Sequence, residues 1–259
     1  MAKGSMTAVV TGASKGIGYE LSRLLARDGY NLILIARSEE LLGEVARELE
    51  AEFKIKAHVL AQDLSLAMAG DQLAERIAQL NLPIHILVNN AGIGCQGPFF
   101  KSNSVTNLEM ILTNNVALTR LTQVLLPGLV ANKGKILNTS SHAAFQPVPY
   151  LAVYAATKAY ILSFSQALAE ELKPKGVSVT ALCPGVTDTA FIRRAGMQDT
   201  KAAQGNLISS RTVAEIGYRG MLRGKTVVVP GLKEKVMVIA GRVAPRRVVA
   251  KIAGNLMRD

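Results

Sequence analysis

Short runs of β-branched and aliphatic residues alternate along the chain with longer segments whose apolar positions recur at helical spacing. The first run, "TAVVTG" (7–12), is followed by a helical pattern from Gly16 to Arg27 and then by "NLILIAR" (31–37). A charged helix, "SEELLGEVARELEAEF" (38–53), leads to the strand "KIKAHVLAQDL" (54–64), another helix, and the strand "PIHILVNNAG" (83–92). Later strands read "GKILNTSS", "GVSVTALCPG" and "KTVVVPG". Strands that alternate with helices pair in parallel, and seven of them predict an α/β, doubly wound parallel sheet with helices on both faces rather than a barrel. With 259 residues and neither an internal repeat nor a low-complexity linker, the chain reads as a single domain over 1–259.

Two segments depart from this rhythm. Residues 186–208, "VTDTAFIRRAGMQDTKAAQGNLI", have mixed polarity between a buried strand and a helix, and read as a substrate lid or an ordinary surface excursion. The basic C-terminal extension, 232–259, holds a helix that Pro245 can start, with Val248, Val249, Ile252 and Leu256 on one face and Arg247, Lys251 and Arg258 on another. That helix is expected to pack on the body or on a second subunit; the competing expectation is weak peripheral contact with anionic lipid.

Composition narrows the partners. Cys95 and Cys183 stand far apart, forming neither a metal-type cluster nor a disulfide framework, and fit a reducing cytoplasm. "MAKGSMTAVVTG" runs almost directly into the first strand and no apolar run reaches spanning length, so a soluble, cytoplasmic protein is expected. A net charge of +11 suits an anionic partner, whether nucleotide, acidic carrier protein or membrane surface. With 5% aromatics, no tryptophan and no zinc-finger or RNA-binding signature, nucleic acid is not expected.

The candidate chemistry begins in "TGASKGIG" (11–18), which sets Gly12, Gly16 and Gly18 between the first strand and the first helix. Glycine permits the tight turn and close backbone approach, and the free N–H groups of a helix N-terminus attract phosphate. Ser14, Lys15 and Ile17 belong to the same loop. Arg37 stands where the second strand ends, where a carboxylate would read a free ribose hydroxyl; a guanidinium pairs instead with a 2′-phosphate, so NADP(H) is favoured. Lys15 is a second candidate cation, or simply solvated. Asp63, followed by Leu64 after the third strand, is open to two readings: an acceptor for the adenine amino group, or a helix cap shared with Ser65. In "YAATK" (154–158), Tyr154 and Lys158 share a helix face: either the ammonium lowers the phenol pKa toward a useful acid or base, or the pair simply decorates an exposed helix, the commoner case for these five residues alone.

Together "TGASKGIG", "NNAG" (89–92), "TNNVALT" (113–119), "NTSSHAA" (138–144), "YAATK" and "PGVTDT" (184–189) resemble the short-chain dehydrogenase/reductase family over residues 7–231. The resemblance implies a Rossmann-like fold and a catalytic Asn, Ser, Tyr and Lys, carried onto Asn115, Ser141, Tyr154 and Lys158. Similar proteins place the serine thirteen residues before the tyrosine, which selects Ser141 over Ser140, and follow the asparagine with a hydrophobic residue, which selects Asn115 over Asn114. The roles implied are proton donation by Tyr154 and polarisation of the substrate oxygen by Ser141. Lys158 would tune the tyrosine and bind the nicotinamide ribose, and Asn115 would position a water. Such chemistry suits carbonyl reduction, in which a developing alkoxide needs hydrogen bonds and then a proton, and it requires no metal.

In "NNAG", Asn89 is expected to tie strands together while Asn90, Ala91 and Gly92 admit the adenosine side of the cofactor. Pro184 and Gly185 shape the turn beneath the nicotinamide, Val186 meets its carboxamide, and Thr189 is a cofactor contact or a loop cap. His85 replaces the acid that relatives usually carry and reads as structural, as does His58; His142 faces the substrate or points outward.

Candidate substrate walls are Gly94, Cys95 and Gln96 after "NNAG", Phe145, Val148 and Leu151 before Tyr154, and Phe191 and Met197 in the lid, beside Ser141 and Tyr154 themselves. Their apolar character favours a hydrophobic small-molecule ketone, aldehyde or 3-oxoacyl group. Similar proteins form homodimers or homotetramers through helices corresponding to 106–130 and 151–173, and Lys133, Lys173 and Lys175 are weak candidates for an acyl-carrier contact. The leading expectation is an NADPH-dependent carbonyl reductase, reversible as an alcohol dehydrogenase. A 3-oxoacyl-thioester reductase is the enzymatic alternative, and a noncatalytic NADP(H)-sensing interaction protein the alternative of another class.

Overall fold

A computed structural model describes residues 6–205 and 207–258. The ends of the expected 1–259 domain (1–5 and 259) and position 206 of the expected lid lie outside the described residues. The expected βα alternation is present. β1 (Thr7–Thr11), α1 (Gly16–Arg27), β2 (Asn31–Ala36), α2 (Glu39–Phe53), β3 (Ala57–Ala61), α3 (Ala69–Gln79) and β4 (Ile84–Asn89) form the first half. The second half runs through α4 (Ser104–Ile111), a π-helical turn (Leu112–Val116), α5 (Ala117–Ala131), β5 (Lys135–Thr139), α6 (Ala152–Leu172) and β6 (Ser178–Leu182). It closes with β7 (Thr187–Asp188), α7 (Ala190–Arg194), β8 (Ile208–Ser209), α8 (Ser210–Leu222), β9 (Val227–Val228), α9 (Leu232–Val243) and α10 (Arg246–Leu256).

Seven strands pair in parallel in the order β3-β2-β1-β4-β5-β6-β9, and β7 and β8 form a separate two-stranded sheet. Because side chains alternate across a strand, a run such as "NLILIA" is apolar throughout and feeds two cores. Leu32 and Leu34 join Ala8, Val10, Leu21 and Leu42 on one face, while Ile33 and Ile35 join Val9, Leu73 and Leu121 on the other.

The third strand is shorter than the 54–64 expected. Lys54 is left-handed (φ +58) and closes α2, while the far end breaks into the turn that holds Asp63. The strand order reverses between β1 and β4, so connections leave in opposite directions and open a crevice at the carboxyl ends of the strands. That crevice is a cleft of about 780 Å³ running from Arg37 to the C-terminal helices.

Candidate active site

At one end of the cleft, the β1–α1 turn closes on itself. Gly12 (φ +67) and Gly16 (φ +59) take backbone conformations that disfavour a side chain, and a Cβ on Gly18 would stand 2.2 Å from the Gly12 carbonyl oxygen. Gly18 therefore acts by close packing and, contrary to a direct contact role, does not line the cleft; Gly12, Ser14, Lys15, Gly16 and Ile17 do. No side chain caps the first turn of α1, which leaves its N–H groups available to an anion. Exposed Lys15 and Arg37 flank this uncapped turn. A tight glycine turn, free helix donors and two cations fit a phosphorylated dinucleotide.

Polar ties hold the neighbouring walls. Asn89 donates to Thr122 Oγ1 and Asn138 Oδ1, each at 2.9 Å, and so bridges strands and helix as expected. Asn90 Nδ2 donates to the carbonyls of Thr11 and Gly12 at 3.2 and 3.3 Å, which fixes the backbone of Ala91 and Gly92 along the cleft. Asp63 Oδ1 accepts from Ser65 N at 2.9 Å and Ser65 Oγ at 2.8 Å; it caps its turn and, with Leu64, still lines the cleft. Pro184, Gly185, Val186 and Thr189 line the opposite side, and Thr189 Oγ1 also caps α7 by accepting from Phe191 N at 3.3 Å.

The reactive side chains meet where β5 and α6 face the cleft. Lys158 is 3% exposed; its Nζ donates to the Thr139 carbonyl at 2.8 Å and lies 5.7 Å from the Tyr154 ring centroid. Burial lowers the Lys158 pKa to about 8, against the pull of the nearby Cys183. Burial likewise pushes Tyr154 up to about 12, with hydrogen bonding to Ser141 opposing the shift. This corrects the expectation that the ammonium lowers the phenol: desolvation of the phenolate dominates, and the opposing influence is the Ser141 hydrogen bond rather than the ammonium. Ser141 lines the cleft, its Oγ accepting from Ala143 N at 3.1 Å, whereas buried Ser140 donates to the Lys158 carbonyl at 2.8 Å. Ser140 is thus the structural serine of the pair.

The asparagine expectation is corrected. Asn115 turns away from the cleft, donates to the Thr157 carbonyl at 3.0 Å and lines a shallow groove on the far side of α6 with Ile111 and Ala156. Asn114 is buried toward the reactive groups. Its Oδ1 accepts from Ile93 N at 2.9 Å, and its Nδ2 donates to the Ile93 carbonyl and to Thr157 Oγ1, each at 3.0 Å. Asn114 Oδ1 and Lys158 Nζ lie 3.3 and 3.2 Å from the point a Gly92 Cβ would occupy. The π-helical turn adds a residue to the helical repeat at this position, so neither helical spacing nor the following hydrophobic residue reports which asparagine faces inward.

The substrate end is mostly apolar. Val148, Leu151, Phe191 and Met197 line it as expected, and the Phe191 ring lies 5.4 Å from that of Tyr154. Three expected wall residues do not. Cys95 is exposed and outside the cleft; Gln96 donates to the Met257 carbonyl at 2.8 Å; Phe145 packs with Ala144, Val227 and Val229 in a separate cluster. The loop after "NNAG" leaves the cleft after Gly94, while the turn before Phe145 directs that ring behind the sheet end. His142 does line the cleft: burial lowers its pKa and its Nε2 has no partner. His85 Nδ1 sits 3.0 Å from the Pro83 carbonyl, outside the cleft, in the structural role expected.

Residues not expected at the site complete the wall: Thr139, Glu234 and Met237, and Ala253, Leu256 and Met257 from α10 and its C-cap. The C-terminal extension forms two helices rather than one tail helix. The expected apolar stripe is split: Leu256 lines the cleft and Val249 is half-buried, while Val248 and Ile252 face solvent and Ala253 and Gly254 pack inward in their place. Small residues allow the close approach to Pro149 that the larger ones would block.

A family model described as short chain dehydrogenase matches residues 6–200. The very-long-chain 3-oxoacyl-CoA reductase of Bos taurus is 38% identical over 182 residues, covering 68% of this chain and 58% of that protein. The protein of the same name from Meyerozyma guilliermondii is 38% identical over 207 residues, covering 74% and 60%. The chain thus spans about three-fifths of the length of these relatives. Among solved structures, a short-chain dehydrogenase from Sphingobium yanoikuyae in complex with NADPH superposes with a TM-score of 0.82 at 30% identity, covering 95% of both chains. The bulky-bulky ketone specific alcohol dehydrogenase from Comamonas testosteroni gives 0.78 at 28%, covering 93% of both. Motifs, sheet order and family match agree, and the chain belongs to the short-chain dehydrogenase family.

Proposed function

We propose that the chain is an NADPH-dependent reductase of hydrophobic carbonyl compounds, with a 3-oxoacyl thioester as its best substrate. The observation that carries the reading is the convergence of Ser141, Tyr154 and Lys158 on one wall, facing Val148, Leu151, Phe191 and Met197 across the same cleft. Such a wall accepts an acyl chain or bulky ketone and leaves a sugar's hydroxyls unpaired. The names of the 38%-identical relatives support the thioester, and the structure solved with NADPH supports the nucleotide. Arg37 and Lys15 would hold the nucleotide's phosphates with the first turn of α1, and Asn90, Ala91 and Gly92 would carry its adenosine side.

When bound, the nucleotide supplies hydride to the substrate's carbonyl carbon. The chain's own residues manage the oxygen. Ser141 Oγ donates a hydrogen bond to it, and Tyr154 Oη gives up its proton as negative charge develops there. A phenol held at about 12 is fully protonated at neutral pH and ready to act as the acid. The Lys158 ammonium then stabilises the phenolate, and Asn114, not Asn115, is the residue placed to hold a water beside it. Both cysteines are free, which suits a reducing cytoplasm.

The test is NADPH and NADH oxidation with 3-oxoacyl-CoA esters of rising chain length beside free ketones, with Tyr154→Phe run in parallel. Turnover that prefers NADPH, improves with chain length and drops at least ~100-fold in Tyr154→Phe is expected. Tight NADPH binding without turnover on any of these compounds would replace the reductase with a nucleotide-sensing protein.

A further inference from the structure

The last two helices carry large apolar side chains on the side turned away from the body. With about 3.6 residues per turn, Leu232, Val236, Ile239 and Val243 fall on one stripe of α9. They are 78%, 58%, 65% and 85% exposed. The opposite face holds buried Val238 and the cleft-lining Glu234 and Met237, while exposed Lys233 and Lys235 flank the stripe on its two sides. On α10, Ala253 and Gly254 face inward; Val248 and Ile252, 49% and 56% exposed, point outward with Arg247 and Lys251 along one side of them.

The α10 end of this face is tied to the body. Ala202 N donates to the Leu256 carbonyl at 3.0 Å, Gln96 Nε2 to the Met257 carbonyl at 2.8 Å, and Arg258 Nε to Tyr150 Oη at 2.8 Å. A fixed apolar surface of this kind marks an interaction site. Charge selects the occupant. From 232 to 258 the sole acid is Glu234, which lines the cleft with its neighbour Lys233, whereas Lys235, Arg246, Arg247, Lys251 and Arg258 are exposed and outside it. A second copy docked symmetrically would oppose these cations to one another; a negatively charged bilayer would pair with them while admitting the apolar stripes among its headgroups. The exposed apolar residues of α4, Val105, Leu108 and Ile111, stand on a helix with no Lys or Arg, and suit a second copy better.

We propose that the outer faces of α9 and α10 dock the protein on an anionic lipid surface. Among the described residues no helix is long and apolar enough to cross a membrane, so the contact is peripheral. Met237, Leu256 and Met257 of the same segment line the cleft, so docking sets the substrate end of the site at the interface, where a membrane-borne acyl substrate is found.

The experiment is vesicle flotation, comparing phosphatidylcholine alone with phosphatidylcholine carrying about 30% phosphatidylserine. The native protein is expected to float with the anionic vesicles, and raising salt to about 0.5 M to weaken binding at least tenfold. Ile239→Asp with Ile252→Asp, and separately Lys235→Gln with Lys251→Gln, are each expected to weaken it about tenfold or more. None of these four residues lines the cleft, so turnover of a short soluble ketone stays within about twofold. A native protein that stays with the soluble fraction overturns the proposal, as does equal binding to uncharged vesicles. Variants that bind like the native protein overturn it too. A halved mass of the Ile239→Asp, Ile252→Asp variant by light scattering would assign the face to a second copy instead. Flotation needs no turnover, so failure of the reductase reading leaves this result independent.

Discussion

Lys158 is a buried cation of the cleft, and its surroundings set a pH limit on the proposed proton chemistry. With its pKa lowered to about 8, it is charged below that value and neutral above it. In the proposed mechanism reduction leaves a phenolate on Tyr154, which the ammonium would stabilise and the neutral amine would not, so kcat for reduction is expected to fall as pH rises through about 8. Asn114 Oδ1, which accepts from Ile93 N, and Lys158 Nζ both border the point a Gly92 Cβ would occupy, so a water held by Asn114 would sit beside the amine. Asn114→Ala is therefore expected to move that falling limb to lower pH and to lower kcat by about 10-fold or more. Asn115→Ala is expected to leave the limb where it is. Identical limbs in the two variants would remove Asn114 from the proton path. That Ser141, Tyr154 and Lys158 meet in one cleft was legible from the motif spacing of the family the sequence resembles. The asparagine was not, because one extra residue in a π-helical turn rotates the face it presents. Cys95, Gln96 and Phe145 misled for a related reason: proximity in sequence to a motif does not state where a loop turns away.

At the scale of elements, the β1–α1 turn shows how tightly packing specifies the phosphate end. A Gly18 Cβ would lie 2.2 Å from one backbone atom and 2.5 Å from Asn90 Nδ2, and a backbone neighbour cannot rotate aside. Gly18→Ala is expected to cost about 1–3 kcal/mol and to lower Tm by roughly 2–10 °C, with weaker NADPH binding measured by titration. Gly128→Ala in α5, where a Cβ would meet nothing within 4 Å, is the control and should be neutral or stabilising by up to ~1 kcal/mol. Equal melting temperatures for the two variants would show that the turn yields. Elements whose apolar pattern feeds the two large cores were readable to within a few residues. The short β7 and β8 pair and the orientation of α10 were not, since both depend on which neighbour offers room: Pro149 accepts Gly254 where a valine would clash.

For the whole molecule, the exposed side of α4, α5 and α6 carries a different kind of surface from the C-terminal helices. Leu108, Ile111, Val124 and Tyr160 are exposed there, and Ile111, Asn115, Ala152 and Ala156 form a shallow groove between α4 and α6. No cation sits on α4, so two copies can meet on this side without the repulsion that the basic C-terminal face would generate. Burying such a patch symmetrically fits the more apolar character of a stable homodimer interface. Light scattering is expected to give a dimer or a larger even assembly. Leu108→Arg with Ala156→Arg should halve the mass by placing like charges across the two-fold axis, while leaving cofactor binding intact because neither residue lines the main cleft. An unchanged mass in that variant would move the subunit contact to another surface. A monomer with full activity would show that the site needs no neighbour to work.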